Sequence, residues 1–318
     1  MHPFALTLME TVPNIFAEGS FLIKTLGKAI SPIVLKRSVP YILVTPALVF
    51  VIGVLAYSVL YGIGMSFFRI DLAIPGRPFV GLENYITVLT SDRFLASLRR
   101  SLVFVFFSVT VGLLLSFAFA QALYWVKKGA AGFRGFTLIP DLVSGIATAI
   151  MFRFLFSGSV GFINQILLSF GMERVQFLSD PVWAMTIAIM ANTWFIIPFS
   201  TLILLAGLQA LDPDLFEVAT VEGASKARVL FAIVIPLIKP MIGISLVWMS
   251  FASFNMFDVI LPLTGGGPGR ATEVLAVYMY RVGFEFLRYS QGAVIMAVIL
   301  ALNVAVSVFF LRTFRGEV

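Results

Sequence analysis

The chain contains no cysteine and a single histidine, His2. Without cysteine there is neither a disulfide framework nor a thiolate metal site, and one histidine at a chain terminus supplies no ligand cluster, so no metal is expected. Charge is scarce too. Only 12% of the 318 residues are Asp, Glu, Lys or Arg, against 60% hydrophobic, and the mean hydropathy is +1.02. A soluble fold of this size cannot cover that much apolar surface, which makes lipid the solvent for most of the chain. The net charge of +6 would suggest nucleic acid in a soluble protein; here basic residues flanking membrane spans account for it, and no nucleic-acid partner is expected. A phosphate-binding loop is also missing. Its nearest approach, the LGKA at 26–29, lacks the upstream glycine and a Ser or Thr after Lys28. Gly265, Gly266, Gly267 and Pro268 lie in a loop without the helix and lysine that such a site needs. No nucleotide site is therefore expected in this chain.

What is present is a series of long apolar runs, each near the roughly 20 residues that a membrane helix requires. They predict an all-α polytopic protein with six transmembrane helices at about 41–68, 101–126, 135–156, 182–208, 241–262 and 290–312. Residues 1–20 lack the basic start and small-residue cleavage site of a secretory signal, so retention of the N-terminus is expected. Residues 1–40 then form a cytoplasmic or interfacial segment, with apolar and basic positions alternating over 20–38. With both termini in the cytoplasm, every lysine falls on the inner side, and that orientation is expected.

The densest short run of charge is FEVATVEGASKARVLFAIVIP, 216–236, inside the inner segment 209–240. Asp212 and Pro213 read as a helix start. Apolar residues at helical spacing stand on both sides of Gly223, predicting two short amphipathic helices joined at the glycine and closed by Pro236. Pattern alone leaves two readings: a connector lying on the membrane, or a helix presented to a groove on another protein.

The spacing resembles the coupling loop of permease subunits of binding-protein-dependent ABC importers. That pattern is E-A-A, three residues, G, nine residues, I-x-L-P. Glu217, Val218, Ala219, Gly223, Ile233, Ile235 and Pro236 stand at those places, with Val218 replacing the first alanine and Ile235 the leucine. EGAS at 222–225 is similar to the D-G-A-S of sugar permeases. LTGGGPGRATEVLAVYMYRVGF, 263–284, resembles the outer-loop signature of the carbohydrate-uptake branch typified by maltose and glycerol-phosphate permeases. The resemblance covers roughly residues 40–315. It implies one half of a pore in the bacterial inner membrane, working with a second permease subunit, two ATPase subunits that use ATP and Mg, and an extracytoplasmic solute-binding protein. It also implies that Glu217 meets a basic group of the ATPase, that Gly223 makes the turn, and that Ala219 and Ala224 pack closely, with Glu222 and Pro236 completing the ATPase-coupling segment. The chain would do no bond chemistry itself. A gradient-driven secondary transporter and an ABC permease for a non-sugar solute are the alternatives; Asp141 and Asp258 are the carboxylates that a proton relay would use.

Polar groups inside apolar runs mark the expected substrate pathway, because each costs about 2.5–3.5 kcal/mol at a helix centre when ionised. On the fifth run Trp248, Phe251, Asn255, Asp258 and Pro262 recur at steps of three and four, which would put flat rings and hydrogen-bonding groups on one face. That combination suits a sugar. On the fourth run Asn192, Phe195 and Phe199 share a face with Trp194 beside it, although Asn192 serves equally as a helix–helix bond. Arg153 either snorkels toward the outer surface or meets an anionic sugar. The second run lacks such groups, as a packing helix would.

Overall fold

The computed structural model describes residues 32–71, 76–126 and 137–314, with 132 and 135 between them, and not the side chains of 32–40 and 42. The alternating segment at 20–31 lies outside that range. Among the described residues there is no strand, only isolated bridges at Phe68–Phe79 and Asp71–Arg288. Two contact units divide after Tyr61.

The first unit holds most of α1 (Pro32–Met65). From Tyr41 to Leu60 nearly every apolar side chain is exposed, and its hydroxyls bond within the helix, Thr45 Oγ1 to Tyr41 O at 2.6 Å and Ser58 Oγ to Val54 O at 2.8 Å. A helix that is apolar all round and satisfies its own polar groups suits lipid.

The second unit follows in order: α2 (Glu83–Leu89), α3 (Asp92–Trp125), α4 (Ile139–Leu142), α5 (Gly145–Leu155), α6 (Phe162–Ser169), α7 (Pro181–Gln209) and α8 (Asp214–Val221). Then come α9 (Lys226–Leu237), α10 (Lys239–Phe254), α11 (Ile260–Thr264), α12 (Leu275–Tyr280) and α13 (Tyr289–Thr313). α1, α3, α7 and α13 are long and apolar enough to cross a membrane; α9 and α10 reach that length and hydropathy only as a pair, bent by 70°.

The core lies among α3, α7, α10 and α13. α3 buries Ser108, Gly112, Ser116 and Ala120 at four-residue steps. Small side chains at that spacing let helix backbones approach closely in lipid, where apolar burial alone does not drive association. Ser116 Oγ donates to Ile197 O of α7 at 3.2 Å, and Ile196 packs over Gly112.

Three predicted spans need correction. The second starts at Asp92 rather than 101, because Ser91 Oγ accepts from Phe94 N at 3.2 Å and caps the helix earlier. The third is broken: Val143 and Ser144 are extended, and Ser144 begins α5 by accepting from Ala147 N. Asp141, Ser144 and Thr148, which one continuous helix would place on a single stripe, are therefore divided, and Asp141 sits in the first turn of α4, where a carboxylate suits the helix dipole. The fifth stops at Phe254 instead of continuing to 262.

Candidate functional site

The α8–α9 segment is two short helices joined at Gly223, as the spacing predicts. Asp212 Oδ1 accepts from Asp214 N at 3.0 Å and opens α8. At its other end the Ala224 amide bonds Ala219 O at 2.9 Å and the Gly223 amide bonds Thr220 O at 3.1 Å. These two bonds make a Schellman turn, whose pivot must be left-handed; Gly223 has φ +72°. Ser225 Oγ then caps α9 by accepting from Arg228 N. Among the described residues nothing lies near Gly223 that a methyl group would strike, so Gly223→Ala is expected to cost only the backbone term, about 1 kcal/mol. The thermal midpoint of the purified complex should fall by roughly 2–4 °C, with Gly223→Asn recovering part of the loss.

One side of this segment is anchored and the other is free. Ala219 is buried, and the Phe216 ring meets Tyr124 and Trp125 at the C-terminal end of α3 with centroids 6.1 and 6.2 Å away. Glu217, Val218, Val221 and Glu222 are exposed, Val221 to 88%. Asp212, Asp214, Glu222, Ala224, Arg228 and Ile233 line a surface cavity of about 580 Å³. Through α9, whose middle is a π turn at Leu230–Val234 and whose end contains Pro236, the segment is joined by the bend at Ile238 to α10. A push on α8 thus has a short helical route into the spans.

The residues predicted for a substrate pathway do not form one helical face. α10 carries Trp248, partly buried beside Phe199 with ring centroids 4.6 Å apart, and Phe251, half exposed. Asn255 then caps that helix, donating from Nδ2 to Phe251 O at 2.8 Å. Asp258 falls in the following turn, its carboxylate so close to Gly145 at the start of α5 that a methyl group there would lie 2.0 Å from Oδ2. Arg153 donates to Pro262 O at 3.2 Å, which ties α5 to α11. On α7, Asn192 is fully buried and donates to Ser253 Oγ of α10 at 2.9 Å, the helix–helix role. Trp194 packs against Phe152, and Phe195 lies partly buried against the core. Asn192 Oδ1 and Trp248 Nε1 are buried with no hydrogen-bond partner among the described residues.

The family model for the inner membrane component of binding-protein-dependent transport systems matches residues 108–314, the stretch that holds the α8–α9 segment and the interrupted α10. The chain belongs to that family. The trehalose/maltose transport system permease protein MalF of Thermococcus litoralis is 34% identical over 278 residues, 86% of this chain and 93% of that relative. The sn-glycerol-3-phosphate transport system permease protein UgpA of Escherichia coli is 30% identical over 288 residues, covering 90% and 97%. A chain in the crystal structure of a bacterial alginate ABC transporter with an alginate pentasaccharide-bound periplasmic protein shares the fold, with a TM-score of 0.74, 23% identity, and 88% and 96% coverage. The chain is thus a multi-pass membrane permease.

Sequence reading missed one feature of this permease. Glu273, in the loop between α11 and α12, is fully buried and held by two arginines. Arg93 of α3 binds it bidentately, Nε to Oε1 at 2.9 Å and Nη2 to Oε2 at 2.7 Å, while Arg281 Nη1 reaches Oε2 at 3.1 Å. Arg281 Nη2 also donates to Gly265 O, and Arg93 lies over the Tyr278 ring at 4.8 Å. The triad fastens the glycine-rich loop to the start of α3. Ser101 Oγ of α3 adds to it by accepting from Leu275 N at 2.7 Å, capping α12.

Proposed function

We propose that this permease carries a sugar or oligosaccharide across the bacterial inner membrane, with both termini cytoplasmic. Its partners in this reading are a second permease subunit, two ATPase subunits that bind ATP and Mg, and an extracytoplasmic solute-binding protein; the chain does no bond chemistry of its own. The observation that carries it is the α8–α9 segment: a glycine-pivoted turn that leaves Glu217 and Val221 exposed while Ala219 and Phe216 anchor it to α3. Glu217 would meet a basic group on the ATPase, and ATP-driven closure would pass through α9 and the bend into α10, rocking the spans around a central site. The names of the MalF and UgpA relatives favour a carbohydrate or polyol cargo over other solutes. Trp248, Phe251 and Asn255, with Asn192, Phe195, Trp194, Asp258 and Arg153 around them, are the pathway residues. The unpaired Asn192 Oδ1 and Trp248 Nε1 are suited to sugar hydroxyls.

The test is ATPase activity of the reconstituted complex with and without loaded binding protein. Glu217→Ala should assemble normally yet lose stimulation roughly tenfold, a coupling of about 1.4 kcal/mol. Unchanged stimulation in the variant, or failure of any ATPase subunit to co-purify with the wild type, would reduce the segment to a surface connector.

A further inference from the structure

Four aromatic side chains stand in a row beyond the interrupted α10. Phe257 stacks on Tyr280 with centroids 5.6 Å apart and planes inclined by 15°; Tyr280 stacks on Phe284 at 5.5 Å and 30°; Phe284 meets Tyr289 edge-on at 6.4 Å. They come from three separate stretches: the link after α10, α12 with the π turn Arg281–Glu285 that extends it, and the first residue of α13. π turns concentrate at functional sites.

Core packing does not account for the row, since Phe257 is 36% exposed and Phe284 60%. Near-parallel rings in contact at a carbon–carbon separation of about 3.5–4 Å must be slid sideways by roughly 4 Å to give such centroid distances. Phe257, Tyr280 and Phe284 therefore overlap only in part and leave some of each face uncovered by the next ring, like treads. Open aromatic faces carry negative charge density and attract the polarised C–H faces of pyranose rings. Sugar hydroxyls also need polar partners, and these are at hand. Glu285 and Arg288 occur within the same stretch of chain, with 44% and 56% of their side chains exposed. Arg288 lines a polar cavity of about 310 Å³ with Arg69, Asp71, Glu83 and Thr87. Acyl chains would gain nothing from those charges, which favours a hydrated saccharide over lipid. At the other end, Phe257 N bonds Asn255 O at 2.9 Å, so the row ends beside a pathway residue.

We propose that Phe257, Tyr280, Phe284 and Tyr289 form a saccharide ladder, a binding site for successive pyranose rings that leads from the outer surface to the interrupted α10. This rests on the carbohydrate reading above. The test uses the whole complex in nanodiscs and maltotetraose as the probe, with saturation-transfer NMR reporting contact between protein aromatic protons and sugar C–H protons. Transfer should be clear in the wild type and retained in Tyr280→Phe, which keeps the ring. In Tyr280→Ala/Phe284→Ala it should fall roughly tenfold. Equal transfer in the double variant, or none in the wild type, overturns the ladder. So does loss of the second permease subunit or of bilayer insertion in the double variant, which would make the row a subunit or lipid contact. Sugar-stimulated ATPase of the wild type is measured in parallel. Its absence with every sugar would sink the carbohydrate reading, whereas its presence beside an unaffected double variant would sink the ladder alone.

Discussion

Glu273→Ala should be among the most damaging single substitutions in this permease, lowering stability by about 3–5 kcal/mol, the usual consequence of removing one partner from a buried ion pair. The carboxylate is fully buried and answers two guanidinium groups at once. Without it Arg93 loses its paired carboxylate, Arg281 keeps only Glu285 at 3.6 Å, and the loop at 265–273 loses its tie to α3. For a chain of this size the thermal midpoint should drop by roughly 10 °C. Glu273→Gln tests the same point with little change in volume: it keeps the shape, loses the charge, and should recover only part of the loss. Acid should act in the same sense. Burial pushes the Glu273 carboxyl up, but the bonds to Arg93 and Arg281 outweigh it, and its pKa lies below the usual carboxylate value. A depressed folded-state pKa contributes stability that is present above the unfolded value and is lost as pH falls through the folded one. Thermal midpoints measured downward from neutral pH should therefore fall more steeply in the wild type than in Glu273→Gln. Parallel curves, or a Glu273→Ala midpoint within about 2 °C of wild type, would show that the triad adds little.

The triad also marks where reading the chain stops. Apolar runs announced the long helices, because in lipid composition alone sets the solvent. The turn at Gly223 was legible for a different reason: a left-handed pivot needs glycine, and its neighbours lie within twenty residues. Helix ends were less so. Arg93, Arg99 and Arg100 read as loop, yet Ser91 caps α3 before them and the helix carries them. The breaks in the third and fifth runs were hidden because apolar residues continue across them; Asn255 reads as one more position on a face, while in the structure it caps the end of α10. Contacts between distant segments left no local trace. Arg93 and Glu273 are 180 residues apart, and Asn192 and Ser253 are 61 apart. Each looks ordinary in its own stretch, and only packing gives it a partner.

A second large effect is expected at Gly292, where α13 crosses the π turn after α12. A methyl group on Gly292 would stand 2.9 Å from the Cα of Gly283, 3.2 Å from its nitrogen and 3.6 Å from Met279 O. All three are backbone atoms, so no rotamer change relieves the clash and the two segments must move apart. Close helix contacts of this kind in membranes depend on the absence of a side chain. Gly292→Ala should cost about 1–3 kcal/mol, the usual penalty for overpacking a filled site, and Gly292→Val more. The partner glycine is the control. A methyl group on Gly283 meets nothing nearer than Gly292 Cα at 3.9 Å, an ordinary contact, and its φ is not left-handed, so Gly283→Ala should be close to neutral. The asymmetry is the informative result, because both residues sit at the same crossing and a general intolerance of bulk would affect them alike. The crossing also sets Tyr289, three residues before Gly292, against Phe284, one residue after Gly283. Prying it open with Gly292→Val should therefore lower both the thermal midpoint and sugar transfer to the aromatic row, while Gly283→Ala leaves both near wild type. If the two alanine variants behave identically, the close approach at Gly292 does not control this end of the protein.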